Sequence, residues 1–588
     1  MTTVKDLLET RLQLDGDRPF ILFRDQRITF EKFYRQSVKY ANLFLGYKKY
    51  NEPFHIAIMM YNYPEFLYAF GGCALSGATL VGVNTELRGE KLAKVLDDSD
   101  SLLVLTDNTK FKPNEQTNLE KLQEIEFGFK KNIFALERVR YIPSIEGALI
   151  GISNTPQVIT IKDETPLMII YTSGTTGLPK GIINNHDKFV YSGSLVHQIL
   201  KLGSSDTCYV CMPLFHSNSM FLAVSWALVT GGKLGLREKF SVSNFWDDGN
   251  HYQATWWNYV GTPMNYLLDE DKAPPKDTDY RNTLKLAVGN GSSANIQKAF
   301  AMRFGVVVNE VYGQTETGLV TRKKFKDPHG SIGKASLECK ILKIKTDKDG
   351  NEYTTEEECA PAVFDEKGSI VNFDEAVGEL VEFSSLAAKF TGYYKMPGET
   401  EKVKGSLGDK YYTGDLTALD KDRNFYFFGR VSSDRIRKKG ENFSSQGIED
   451  IVDQHPNVTI SAVYGVPHEL SDDYVMLALE LKNEEIFDTK EFYNFCKENL
   501  SDEKWIPDFV RIAKLEKTGT HKIIKNPLRA QHFNSGEITD KIFWRKRKED
   551  SFGEFTTEDY QNLIKQYEAN GTLYRLKALE QRYKCKKS

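Results

Sequence analysis

Apolar positions along the chain change period several times, and each change marks an element. From Arg27 to Phe44, small or apolar residues recur at Phe33, Ser37, Tyr40, Ala41 and Phe44, which predicts a helix with Thr29 as its N-cap. Ser101–Thr106 is a short unbroken apolar run and predicts a buried strand. Leu167–Tyr171 and Leu286–Val288 read the same way, and Ile182-Ile183 opens another strand. Ile296–Phe304 predicts a helix leading into a strand at Val306–Val308. Such alternation predicts an α/β fold of largely parallel sheets.

Between Asp327 and Lys410 the texture differs. Short strand-like runs, Cys339–Ile344 and Gly378–Phe383, are separated by charged turns such as Asp347–Gly350, which predicts a β-rich subdomain over 327–430. The stretch 351–376 yields no assignment. After Gly429-Arg430 the polar, basic run 431–440 reads as a linker. Beyond it come a helix (Gly447–Gln454), apolar runs (Ser461–Val466, Val475–Leu481), a helix (Thr489–Leu500) and a strand (Val510–Leu515). These suffice for a compact second domain with its own core. The expected division is therefore a large N-terminal domain, 1–430, a small α+β C-terminal domain, 431–542, and a charged tail, 543–588. Helical periodicity over Glu558–Arg582 predicts a solvated helix in that tail.

At 588 residues the chain exceeds what one core can organise. A formal net charge of -4 gives no sign of nucleic-acid binding. Seven cysteines do not make a disulfide framework and suit a reducing compartment. Cys208 and Cys211 form a C-x-x-C, but they lie in an apolar run without a second Cys/His pair, so they read as core residues. The first fifteen residues carry charges throughout and show no secretory leader. The run Met220–Val229 is too short for the roughly 20 residues of a membrane span. A soluble, cytoplasmic protein is expected.

The candidate chemistry begins at Tyr171–Gly181, YTSGTTGLPKG. Glycines, four hydroxyls (Thr172, Ser173, Thr175, Thr176) and Lys180 follow a buried strand. Such a loop lets backbone N–H groups approach and cradle an anion. It is not the common nucleotidase P-loop, because two residues separate Gly177 from Lys180 and no Ser or Thr follows the lysine. A solvated Gly/Ser/Thr loop is the plainer alternative.

This string resembles the signature of the adenylate-forming superfamily, and further motifs follow in that family's order along almost the whole chain. The resemblance implies a mobile loop, Thr172, Ser173, Gly174, Thr175, Thr176, Gly177 and Lys180, holding the β- and γ-phosphates of ATP. Val311–Gly318 (VYGQTETG) resembles the second signature. There Tyr312 and Gly313 would border adenine, Thr315 would bond the α-phosphate, and Glu316, with Thr172, would hold Mg²⁺. Gly289–Ser293 resembles the small-residue loop beside adenine and acyl group, with Gly289 and Ser292 as contacts. Tyr412–Leu416 (YTGDL) makes Asp415 the ribose ligand, with Arg430 contacting the ribose from the hinge side. Lys517–Ile523 resembles the segment of the adenylation lysine, Lys522, although His521 stands where many relatives have glycine. A lysine aimed at the α-phosphate offsets the repulsion between two anions and stabilises the transition state.

Met212–Ser217 resembles the acyl gate, so His216 would contact the carboxylate. Trp256, Trp257 and Val260 are candidates for the pocket wall or for plain core. No acidic residue lies between Pro213 and Trp226, where amino-acid-activating relatives place the partner of the substrate amine. The string RIRKKGENFSS resembles carnitine-type and fatty-acid-transport-type acyl-CoA synthetases. One extra residue between Arg430 and Gly440 leaves the pivot at Ser432 or Ser433. Arg435, Arg437, Lys438 and Lys439 would meet coenzyme A (CoA) phosphates or form a solvated linker. The implied activity is an ATP-dependent acyl-CoA synthetase using ATP, Mg²⁺ and CoA on a fatty or related carboxylic acid. Alternatives are a ligase loading a carrier protein, or a non-catalytic nucleotide-binding scaffold. Chain length and oligomeric state stay open, a homodimer among the options.

Overall fold

The computed structural model describes residues 2–584 except 131, 138, 140–141, 173–178, 261, 270–282, 293, 320, 324–326, 329–330, 336–337, 347–351, 366–369, 384–389, 405–408, 432–434, 439–440, 471–472, 483–486, 501–504, 519–522, 535, 537, 546–550 and 571. The fold is mixed α/β. One sheet has the strand order Ile133–Ala135, Ser101–Thr106, His55–Met59, Thr79–Gly82, Pro166–Thr172, Lys180–Asn185. All its pairings are parallel except the last, where the two strands flanking the glycine-rich loop run antiparallel. A second sheet runs Val307–Glu310, Leu286–Asn290, Trp256–Val260, Thr207–Val210, Lys233–Leu236, Pro19–Phe23, Gln26–Thr29, and is parallel up to its final hairpin.

The main core lies between these sheets and the helices that cover them. The helix Phe30–Leu45 shows how the sequence specifies one of those layers. Thr29 caps it by accepting the Lys32 N–H at 3.1 Å, and Phe33, Ser37, Tyr40, Ala41 and Phe44 are all buried, as their spacing predicts. Each buried aromatic removes apolar surface from water at about 25 cal/mol per Å².

The β-rich segment is a five-stranded antiparallel sheet, ordered Glu352–Glu358, Cys339–Thr346, Gly378–Phe383, Lys410–Leu419, Phe425–Arg430. The stretch without assignment thus supplies an edge strand and a short helix, Phe373–Ala376.

Two expectations need correction. The basic linker contains a strand, Arg435–Lys438, hairpinned to Glu441–Ser444, and Ile436 within it is fully buried. Alternation of one apolar residue among four cations is a strand pattern that charge obscures. The tail is likewise not a solvated helix. Lys541–Trp544 joins the C-terminal sheet (Val458–Pro467, Asp473–Leu481, Phe509–Ile512, Lys541–Trp544, Gly553–Glu554). Helices Thr557–Ala569 and Leu573–Lys584 then bury Leu563, Tyr567, Leu576 and Leu579 against Tyr464, Phe509 and Phe533. Among the described residues no helix is long and apolar enough to cross a membrane.

Candidate functional site

The predicted site residues that the structure describes gather where strands of the parallel sheets end and the antiparallel sheet meets them. Asp415 and Arg430 are cross-strand partners on the last two strands of that sheet, so register alone brings carboxylate and guanidinium together. Arg430 Nε lies 2.8 Å from Asp415 Oδ1, and its Nη1 donates to the Thr413 carbonyl at 3.0 Å. Two further donors converge on Oδ2: the Tyr312 hydroxyl at 2.5 Å and Gln314 Nε2 at 2.6 Å. Gln314 is oriented by Tyr411, whose hydroxyl donates to its carbonyl oxygen at 2.9 Å. Asp415 is 2% exposed, so the cluster compensates a buried charge. Burial beside the Asp415 carboxylate pushes the Tyr312 phenol up, which keeps it a donor. The Tyr312 ring packs on Phe425 at 4.8 Å between centroids.

Thr315 and Glu316 follow in the same motif. Thr315 Oγ1 lies 2.8 Å from Ser217 Oγ, which joins this loop to the His216 segment. His216 Nδ1 accepts the Asn218 N–H at 3.2 Å, at the entrance to a π-helix, Asn218–Val224. Lys188, 2% exposed, donates to the Thr315 and Glu316 carbonyls and so holds the loop from the helix that follows the glycine-rich motif. Glu316 Oε1 accepts the Tyr393 hydroxyl at 3.2 Å.

Tyr393 also carries Lys180 on its face, with Nζ 4.9 Å from the ring centroid. Lys180 Nζ forms an ion pair with Glu399 at 2.6 Å, and Thr172 is its partner across the strand pair. Hydrogen bonds from Lys180 and then Lys402 pull the Glu399 carboxyl down to about 2. Ser173, Gly174, Thr175, Thr176 and Gly177 lie outside the described residues, as do Lys522, His521, Ser432 and Ser433.

Gly289 sits in the strand Leu286–Asn290, and the Ser292 N–H donates to Glu310 Oε1 at 3.3 Å. Gly313 begins a two-residue strand after Tyr312. Trp256, Trp257 and Val260 are buried in the core. Cys208 and Cys211 are buried free thiols. Of the basic cluster, Lys438 is bound to Asp508 at 2.6 Å. Lys517, which opens the adenylation-lysine segment, reaches across to the Tyr266 hydroxyl at 2.9 Å.

Among the described residues no group of three or more His, Cys, Asp or Glu is placed to hold a metal. The Glu316 carboxylate, with the Tyr393 hydroxyl 3.2 Å from Oε1, has the oxygen chemistry that a hard cation prefers.

Sequence reasoning missed Gln314, Lys188, Tyr393, Glu399 and Glu310. Gln314 lies inside the VYGQTETG string, where the resemblance assigns it no role. The others face the site from elements remote in sequence, and only their tertiary placement reveals them.

Loops collected at strand ends around a buried acid–arginine pair are the usual place for a ligand site in an α/β protein. A family model described as AMP-binding enzyme matches residues 8–370, and one described as AMP-binding enzyme C-terminal domain matches 447–522. The chain belongs to the AMP-binding enzyme family. It is 31% identical over 580 residues to a steroid-22-oyl-CoA synthetase of Rhodococcus jostii, covering 97% of this chain and 98% of the relative. A medium/long-chain-fatty-acid–CoA ligase of Mycobacterium marinum is 31% identical over 488 residues, 82% of this chain and 88% of that one. Long-chain fatty acid transport protein 2 of Rattus norvegicus is 29% identical over 569 residues, 93% and 88% of the two chains. The fold matches ATP-bound MatB from Rhodopseudomonas palustris with a TM-score of 0.74 at 21% identity, over 90% of this chain and 99% of that one.

Proposed function

We propose that this protein is an ATP-dependent acyl-CoA synthetase, an AMP-forming acid–thiol ligase. A carboxylate oxygen attacks the α-phosphorus of ATP, giving acyl-adenylate and pyrophosphate. The CoA sulfur then attacks the acyl carbon, AMP leaves with the carbon–oxygen bond pair, and the thiol proton goes to solvent. The reading is supported most by the convergence of Tyr312, Gln314 and Arg430 on the buried Asp415, beside the loop that bears Thr315 and Glu316.

In this reading Asp415 accepts the ribose hydroxyls, with Arg430 beside it, and Tyr312 and Gly313 border adenine with Gly289 and Ser292. Thr315 donates to the α-phosphate. Glu316 and Thr172 supply oxygen ligands to Mg²⁺, which when bound neutralises phosphate charge. Lys180 and the glycine-rich loop hold the leaving pyrophosphate, His216 orients the acid, and Lys522 stabilises the adenylation transition state. The chain divides after Arg430, and the C-terminal part turns between half-reactions.

The acid is apolar, a fatty acid or a steroid side-chain acid. The names of the relatives support this, as does the lack of an acidic residue between Pro213 and Trp226. The protein works in the cytoplasm, where free thiols such as Cys208 and Cys211 persist. A panel of carboxylic acids with MgATP, read as pyrophosphate release and as CoA thioester by mass spectrometry, tests the proposal. Release without any acid dependence would leave a nucleotide-binding scaffold, and thioester formed on carrier protein alone would favour the carrier-loading alternative.

A further inference from the structure

Glu310 ends the last strand of the large parallel sheet, two residues before Tyr312, and is 4% exposed. A carboxylate at that depth needs partners. They come from two directions. Tyr259, Gly289 and Glu310 occupy one register line across three neighbouring strands, so all three face the same side of the sheet. The middle position is glycine, and a Cβ there would lie 2.0 Å from the Tyr259 carbonyl oxygen and 2.9 Å from its Cδ1, so the tyrosine's backbone and ring together leave no room for a side chain. Lying across that gap, the Tyr259 hydroxyl donates to Glu310 Oε2. The other oxygen, Oε1, accepts two backbone N–H groups, Gly291 at 2.6 Å and Ser292 at 3.3 Å. Gly291 has φ +82, a conformation that favours glycine, and the two N–H groups point back at the carboxylate from that turn. Tyr259 extends the chain of contacts, because its carbonyl accepts Asn218 Nδ2 at 3.0 Å, just beyond His216.

We propose that Glu310 is a positioning residue that fixes the Gly291–Ser292 turn, and through Tyr259 the His216 segment, at the junction of nucleotide and acyl sites. The proposal rests on the synthetase reading for what the turn contacts, and on geometry alone for the turn being held. An ionised carboxylate is acceptor-only and satisfies all three donors at once. Glutamine still offers one oxygen to the two N–H groups while its amide faces the phenol, whose oxygen can accept. Alanine offers nothing.

Burial pushes the Glu310 carboxyl up to about 7, opposed by the Tyr259 hydroxyl and the Gly291 and Ser292 N–H groups, with the Lys323 ammonium facing it. Protonation converts an acceptor into a donor, so the clamp weakens as pH falls through neutrality.

The test has two arms on the full-length protein. Hydrogen exchange of the 289–293 peptide, without substrate, reads the turn directly. Glu310→Ala should exchange there at least about tenfold faster than the unsubstituted protein, with Glu310→Gln in between. In the acid-dependent pyrophosphate assay, Glu310→Ala should raise KM for ATP on the order of tenfold with a smaller fall in kcat. Glu310→Gln should recover most of that loss and flatten the acid limb of the pH profile near 7. Unchanged exchange in Glu310→Ala, or an acid limb near 7 that persists in Glu310→Gln, overturns the proposal. Should the unsubstituted protein release no pyrophosphate with any acid, the synthetase reading fails while the exchange arm still decides whether Glu310 holds the turn. Tyr259→Phe guards against misfolding of the alanine variant: it keeps the N–H clamp but loses the phenol, and should shift exchange at 289–293 by a few-fold.

Discussion

The corner around Asp415 and the arm around Lys180 contain the same ingredients, a carboxylate and a cation about 2.6–2.8 Å apart, but they are built differently. At Asp415 the carboxylate is sunk in a sheet, and Arg430, Tyr312 and Gln314 all aim at it. At Lys180 the cation is the convergence point, shared between Glu399 and the Tyr393 face, and Glu399 in turn is shared with Lys402. A buried acceptor with several donors is preorganised and waits for a neutral hydroxyl-bearing group. A lysine whose charge is already matched must exchange one anion for another. Under the proposed function, the first corner would set where a nucleoside sits, and the second how a polyphosphate enters and leaves.

The largest expected effect comes from the preorganised corner. Asp415→Ala leaves a guanidinium, a phenol and an amide without their common acceptor. Breaking a buried pair by removing one partner costs about 3–5 kcal/mol, and the half-exposed Arg430 puts this case below that range. Acid-dependent kcat/KM for ATP should fall on the order of 100-fold or more, with Tm lowered as well. Asp415→Asn keeps one acceptor oxygen and should fall between. Equal, small losses in both variants would mean that the corner is structural filler.

Much of this frame was legible in the sequence, and the exceptions have physical reasons. The 3.6-residue rhythm of Phe33, Tyr40 and Phe44 gives the helix because burial on one face imposes that period. Asp415 and Arg430 stand 15 residues apart in sequence but share a hairpin register, so motif order carried the pair. The tail reads as solvated in sequence because its many charges mask the buried positions Leu563, Tyr567, Leu576 and Leu579. Glu399 and Glu310 were invisible for another reason. An acidic residue in a linear sequence is solvated by default, and only the arrival of Lys180 or of the Gly291 and Ser292 N–H groups makes it a partner.

The exchangeable arm gives the next test. Glu399→Gln removes the anion that matches Lys180. If Glu399 competes with the polyphosphate, KM for ATP should fall by about two- to fivefold at low ionic strength, and the difference should shrink as salt rises. A rise in KM would instead make Glu399 the group that aims Lys180, and the two regions would then share one design. Stability should change little, because partly exposed pairs contribute about 0–1 kcal/mol.

A third test, of similar size, lies where the C-terminal part touches the helix Thr262–Asp269. Lys517 lies 2.9 Å from the Tyr266 hydroxyl and 3.5 Å from Glu480, so it bridges the C-terminal sheet and a helix of the large parallel domain. Under the proposed function, a rotating C-terminal part would have to release that contact. Tyr266→Phe keeps the ring under the lysine and deletes one hydrogen bond, a loss of about 1 kcal/mol. Pyrophosphate release should slow by about three- to fivefold, while thioester formation from supplied acyl-adenylate stays unchanged. Equal slowing of both steps would show that the contact is merely structural.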